Sequence, residues 1–303
     1  PAAYGFAGSK VRPKDAAKAE IWGSEALPAS VRPVEGGGPE WEAQPTVGFK
    51  PIGYIESCFL DKNGTPRQGN VVSASRARIR ILFGTNPSHS LSGLEGFSHV
   101  WVLFVFHDNG NRAVKSLIHP PRLDGDRKGV LATRSPHRPN PIGLSLCKLD
   151  RIEESTIYLS GVDIVDGSPV LDVKPFLPFA DSDPAAHMPP WMNPDQQVPE
   201  LSVEFEAAAL EQLRTLAPSL RFFRSADEAQ DAIVGILRGD PRSIHQRKSG
   251  DFAPGTERRY VFALDAVDVH CAFEGTRAIV CEVVPVYMKL RQELADRLKL
   301  APD

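Results

Sequence analysis

The chain has 303 residues, 42% hydrophobic and 24% charged, with a formal net charge of −3 at pH 7, enough for one large domain plus a smaller one. The longest apolar run, Val100 to Phe106, is closed by His99 and His107 and falls far short of the roughly 20 residues of a membrane-spanning helix, so no membrane segment is expected. An acidic total also runs against binding nucleic acid through bulk basic charge.

Residues 1–46 mix Pro, Ala, Gly, Glu and Lys without sustained apolar periodicity and include Gly-Gly-Gly-Pro at 36–39. Such a stretch cannot bury enough apolar area to offset its ordering entropy, and it reads as a flexible extension. The start at Pro1 without Met fits a processed or trimmed chain. From Lys50 to Phe179 the pattern is short strands between turns: Ile52 to Cys58, Arg76 to Leu82, His99 to Phe106, Gly129 to Ala132, Leu144 to Ile152, Thr156 to Ile164 and Val170 to Pro175. Close spacing without long intervening helices predicts a mainly β protein whose 47–180 region is an antiparallel or mixed barrel. The strand at 99–106 is apolar on both faces and predicts a central strand covered from outside as well, in the manner of a subunit contact.

Residues 181–200 form a proline-rich connector. Beyond it, Ser202 to Ala217 and Ala226 to Arg238 read as helices stopped by Pro218 and Gly239. Tyr260 to Phe273 and Ala278 to Val286 read as a hairpin around Glu274-Gly275-Thr276, and an amphipathic helix from Val286 to Leu300 closes a smaller α+β domain over 201–303. Local charge matters more than the total here. Residues 238–259 hold Arg238, Arg242, Arg247, Lys248, Arg258 and Arg259 against Asp240, Asp251 and Glu257, a local basic surface.

Cys58, Cys147, Cys271 and Cys281 are widely spaced with no Cys-x-x-Cys, and read as reduced core residues of an intracellular protein; no metal site is expected. Neither Gly-x-Gly-x-x-Gly nor a Walker sequence is present, so no dinucleotide or ATP site is indicated.

The most informative stretch is 132–148, Ala-Thr-Arg-Ser-Pro-His-Arg-Pro-Asn-Pro-Ile-Gly-Leu-Ser-Leu-Cys-Lys. Each Pro fixes its own φ and drives the preceding residue extended, so Arg138 and Asn140 sit on a stiff loop that leads into a strand. Together with Asn-Gly-Thr-Pro-Arg-Gln (63–68), Leu-Glu-Gly-Phe-Ser-His-Val-Trp-Val-Leu-Phe-Val-Phe-His (94–107) and Asp-Ile-Val-Asp-Gly-Ser-Pro-Val-Leu-Asp-Val-Lys-Pro-Phe (163–176), in that order and spacing, it resembles the TrmO family of tRNA methyltransferases. The resemblance is strong over 49–180 and weaker to about 285.

The resemblance implies an S-adenosylmethionine-dependent enzyme built on a β-barrel, a homodimer, methylating N6 of a threonylcarbamoylated adenosine 3′ of the anticodon. It places cofactor contacts on Pro66, Arg67, Gln68, His107, Asp108, Arg134, Leu144, Asp163, Ile164, Val165 and Asp166. Arg67 or Arg134 suits the methionyl carboxylate, which a guanidinium matches in bidentate geometry. The aspartates suit the ribose hydroxyls or the amino group, although Asp166-Gly167 is also an ordinary turn and His107 an ordinary strand end. Asn140, Arg138 and Asp163 are the candidate catalytic residues. As in the Asn-Pro-Pro-aromatic loops of Rossmann-type N6-adenine methyltransferases, the Asn140 oxygen and a prolyl carbonyl are able to accept both hydrogens of an exocyclic amine.

The segment from Asp240, Pro241 and Arg242 through His245, Arg247 and Lys248 is similar to the family's tRNA-engaging stretch, with His245 and Gln246 where Tyr and Arg are usual. A helix-terminating turn is the plain alternative. Two rival readings stay open: an RNA-binding or regulatory module without turnover, and a methyltransferase on a different small molecule. The expected compartment is the cytoplasm, with an organellar form left open as the alternative.

Overall fold

The computed structural model describes residues 47–109, 116–120, 123, 126–192 and 200–286. The expected extension over 1–46 and the closing helix beyond 286 lie outside them. Six strands close a barrel, β1 (Gly53–Ser57), β2 (Arg76–Ile81), β3 (His99–Val105), β6 (Ile142–Glu153), β7 (Thr156–Ser160) and β8 (Pro169–Pro175), while β4 (Leu117–Ile118) pairs with β5 (Lys128–Gly129) beside it. The order around the barrel is β1-β2-β7-β6-β3-β8, every pairing antiparallel.

Alternation explains the closure. In β2, Ala77, Ile79 and Ile81 are buried while the three arginines between them face outward. On β6 the expected Gly143 is a steric necessity: it lies opposite Phe104 of β3, and a Cβ there would collide with the Phe104 ring. The Gly129 to Ala132 stretch differs from expectation, since only Lys128–Gly129 pairs and Val130–Ala132 winds into a 3-10 turn.

The C-terminal unit is a four-stranded sheet in the order β10-β11-β12-β9, built from β9 (Ser202–Phe205), β10 (Tyr260–Leu264), β11 (Val267–Glu274) and β12 (Arg277–Pro285). The expected helix from Ser202 begins only at Ala207. Ser-Val-Glu-Phe alternates with period two and docks parallel to β12, a pairing from far along the chain. The expected strand over 260–273 is likewise two strands, because Asp265 turns the chain at φ 55°. After a single turn, α1 (Pro178–Asp181), helices α2 (Ala207–Leu216) and α3 (Ala226–Arg238) belong to this unit, and Ser225 caps α3 as its side chain accepts from Glu228 N.

Barrel and C-terminal sheet share one continuous apolar core. Asp265 N donates to Cys58 O at 2.7 Å, Phe59 bridges Leu264, and Gly64, at φ 79°, lies against the Phe262 ring where no Cβ fits. The Asp265 carboxylate is buried and accepts from Arg221 N and Phe222 N at 2.8 Å each, which gives the buried charge its hydrogen-bond partners.

Cys58, Cys147 and Cys271 are buried, Cys281 half-buried, and all four are free thiols, as expected. Burial pushes the Cys58 thiol up to about 12, which makes it inert at neutral pH. Among the described residues no group of three or more His, Cys, Asp or Glu is placed to hold a metal ion, and no helix is long and apolar enough to cross a membrane.

Candidate functional site

Antiparallel closure puts the ends of β1, β3 and β7 and the starts of β2, β6 and β8 at one rim of the barrel. Every cofactor residue expected from sequence falls on or beside that rim. The loop carrying Pro66, Arg67 and Gln68 joins β1 to β2 and continues into Gly69-Asn70. There Asn70, at φ 64°, donates its N–H to Gly161 O at 2.9 Å, which pins the loop against the turn holding Asp163.

Asp163 is the electrostatic centre of the rim. Ser145 Oγ donates to its Oδ1 and the Gly69 amide donates to it as well, while Arg134 attracts it from across the loop. Burial lifts its pKa above the usual carboxylate value, and those three partners pull it back. Ser145 and Gly69 were not singled out from the sequence. The only local sign was a serine in the strand following the proline loop and a Gly-Asn step after Gln68.

His107 ends β3. Ser168 Oγ donates to Val165 O at 2.7 Å and lies 3.1 Å from His107 Nδ1, which ties the imidazole to the turn that carries Asp163. Asp108 pairs with Lys62 at 3.5 Å, both more than half exposed. Asp166 is engaged in the fold: its Oδ1 accepts from Ser57 N at 2.9 Å and its N donates to Phe59 O at 2.7 Å, the plain turn reading of Asp166-Gly167. Ile164 is fully buried and Val165 half-buried, with its carbonyl accepting from Ser168.

The proline loop is held where the sequence put it. Asn109 Nδ2 donates to Pro136 O at 2.7 Å, and Arg138 donates from its backbone to Pro136 O at 3.0 Å and from NH1 to Thr133 O at 3.4 Å. Asn140 is exposed and Leu144 shows 48% of its surface. The Pro141 carbonyl accepts from Phe106 N at 2.8 Å, continuing the β3 to β6 ladder.

A cleft of about 630 Å³ lies between the 64–76 loop and the C-terminal unit. Pro66, Arg67, Gln68 and Arg76 line one wall, and Asp240, Pro241 and Arg247 the other. Arg67 NH2 donates to Arg242 O at 3.2 Å across it. The two segments assigned separately from sequence therefore line one cleft.

Within the second wall, Asp240 and Arg242 serve the fold. Arg242 makes a fork with Asp240 at 2.8 and 2.9 Å and lies 3.8 Å from the Phe273 ring centre, with only 12% of its side chain exposed. A six-residue helix, α4 (Ile244–Ser249), follows. Its capping box joins Ser243 and Gln246, so the Gln standing where a cation was expected holds the helix start. His245 is exposed on α4, and the Lys248 side chain lies outside the described residues.

The donor set fits S-adenosylmethionine. A half-buried carboxylate beside an exposed guanidinium complements the ammonium and carboxylate of a methionyl group, and the exposed Leu144 gives apolar surface next to them.

Residues 54–182 match the tRNA-methyltransferase O N-terminal domain. The human tRNA (adenine(37)-N6)-methyltransferase is 58% identical over 135 residues, which are 44% of this chain and 31% of that protein. This chain thus spans about a third of the length of its mammalian relatives. The Escherichia coli tRNA (adenine(37)-N6)-methyltransferase is 40% identical over 209 residues, covering 66% of this chain and 83% of its own. Relatives from Pseudomonas aeruginosa and Pyrococcus abyssi are named for S-adenosylmethionine dependence or binding. The crystal structure of TrmO from Pseudomonas aeruginosa superposes with a TM-score of 0.62 at 33% identity, covering 79% of this chain and all of that one.

Proposed function

This chain belongs to the TrmO family, and from that premise we propose that it transfers a methyl group from S-adenosylmethionine to N6 of the adenosine 3′ of the anticodon in tRNA, with threonylcarbamoyladenosine as the form it accepts. The observation that supports the reading is a cleft in which the Pro66–Gln68 loop, part of the same barrel rim as Asp163 and His107, meets the 240–247 segment.

S-adenosylmethionine, when bound, supplies a methyl group already activated on a sulfonium, so positioning delivers most of the rate and a strong base is not required. Asp163 holds the ammonium or the ribose hydroxyls; Arg134 or Arg67 holds the methionyl carboxylate; His107 contacts the cofactor from the same rim. Asn140, on its proline-braced loop, accepts from the N6 amine and aims the nitrogen lone pair, with Arg138 tying the loop to Thr133. Arg247, His245 and Lys248 meet the anticodon arm, while Asp240 and Arg242 shape the wall that presents them.

A homodimer is part of the proposal. The outer side of the β3–β6 pair is apolar, with Ile142 and Leu144 exposed at 37% and 48% and Trp101 and Leu103 half-buried beside them.

The test is methyl transfer from labelled S-adenosylmethionine to threonine tRNA with and without threonylcarbamoyl, read by nucleoside mass spectrometry. Product on the modified tRNA alone is expected. Equal product on both removes the threonylcarbamoyl requirement, and no product despite measured cofactor binding overturns the reading in favour of the regulatory or small-molecule alternatives. Within it, Asn140→Ala is expected to lower kcat with cofactor affinity unchanged; full turnover removes Asn140 from the site.

A further inference from the structure

Strand β2 reads Arg76-Ala77-Arg78-Ile79-Arg80-Ile81. With its apolar members inside, three guanidiniums stand in a row on the outer wall, successive positions about 6.7 Å apart by the rise of a strand. Aromatic rings are interleaved with them. Tyr54 of β1 pairs with Arg80, and Tyr158 of β7 pairs with Arg78 and lies under Arg151, whose guanidinium is 3.6 Å from its ring centre. The C-terminal unit extends the same face: Phe222 lies 6.0 Å from the Arg78 guanidinium and 5.2 Å from that of Arg221, and Arg224 is close enough to help hold the Glu153 carboxyl below its usual value, after Arg151.

The carboxylates on this face do not neutralise it. Glu56 takes Arg78 at 2.7 Å, Glu153 takes Arg151 at 2.6 Å, and Asp265, buried, takes Arg221 at 3.3 Å. Among the described residues Arg76, Arg80 and Arg224 have no carboxylate within ion-pairing distance. The row also has a direction. Arg76, at its near end, lines the cleft together with Arg67 and Arg247, so the row leads out of the site along the barrel wall.

We propose that this arginine and aromatic face binds the sugar–phosphate backbone of the RNA substrate outside the reacting loop. The inference rests on the tRNA reading above and adds a second contact surface to it. Regularly spaced guanidiniums on a rigid strand, interleaved with flat rings, suit a repeating phosphate chain with accessible bases. A lipid surface would instead ask for protruding apolar side chains. The face also accounts for RNA binding by a chain whose net charge is −3.

The experiment compares the full chain with the Arg80→Gln/Arg224→Gln double variant and with Arg80→Lys/Arg224→Lys, by fluorescence anisotropy on full-length threonine tRNA across a salt series. Cofactor affinity is measured alongside. Neither position is part of the cofactor rim. Loss of two phosphate contacts is expected to weaken tRNA binding by roughly tenfold or more near 100 mM salt and to flatten the slope of log K against log[salt] by about two, with cofactor affinity unchanged. The lysine variant is expected to recover the slope. An unchanged slope in the Gln variant overturns the proposal, as does a flattened slope that lysine fails to restore. Should the wild-type chain methylate tRNA while both variants bind it equally well, only this surface falls; should the wild type bind no tRNA, the functional reading falls with it.

Discussion

Asp163 sits on the barrel rim and Asp240 lines the cleft beside the 64–76 loop, and the two do opposite things. Asp240 is buried and forked by Arg242, which is itself stacked on Phe273, so its charge is fully answered within the protein. Asp163 is held by a hydroxyl and an amide, feels Arg134 only at a distance, and has its pKa lifted by burial. A carboxylate with neutral donors and an exposed, unforked cation nearby keeps attraction for a ligand, while a forked pair keeps little. The lesson is that acidic motifs of similar appearance divide into structural and ligand-holding ones by what already answers their charge.

The largest effect expected from this contrast is on folding. Asp240→Ala leaves the buried Arg242 guanidinium without its carboxylate, and urea unfolding is expected to show a loss of about 3–5 kcal/mol. A loss under about 1 kcal/mol would mean the pair is wet and the contrast with Asp163 is overstated.

Ser145→Ala acts on the other side. Ser145 donates to Asp163 and favours its charged form, so its removal raises the Asp163 pKa further. An aspartate whose folded pKa is raised binds its proton more tightly in the folded state. Its contribution is therefore a penalty, fully present above the folded pKa and relieved as pH falls through that value toward the unfolded one. Cofactor affinity is expected to follow the charged form, weakening on acidification from above the usual carboxylate range, and in Ser145→Ala from a higher pH still. Calorimetric titrations at a series of pH values check the shift; superimposable profiles would remove Ser145 from the site.

The smallest effect concerns Lys62 and Asp108, a pair more than half exposed on both sides. Lys62→Ala is expected to change stability by no more than about 1 kcal/mol. A larger loss would show that the rim's surface charges hold the loop and not merely decorate it.

Much of this was legible beforehand because period-two alternation is a local property. The barrel strands at 53–57, 76–81 and 142–153 and helix α3 announce themselves within their own residues. What escaped depends on distant partners. Ser202–Phe205 is too short to declare itself and becomes a strand through β12, more than 70 residues later. Ser145 matters only because Asp163 lies across from it, and Gln246 is a cap only because Ser243 starts a helix there. Asp240 and Arg242 read as a nucleic-acid motif because nothing local reveals that Phe273 and burial have already claimed the guanidinium.

The most direct measurement is calorimetric titration of Asp163→Asn with S-adenosylmethionine at neutral pH, beside its urea unfolding curve. The account predicts an affinity loss of roughly tenfold or more, a flat pH profile, and stability equal to or above wild type, because the burial penalty on the charge is gone. Wild-type affinity in Asp163→Asn would contradict it and leave the barrel rim without its central cofactor residue.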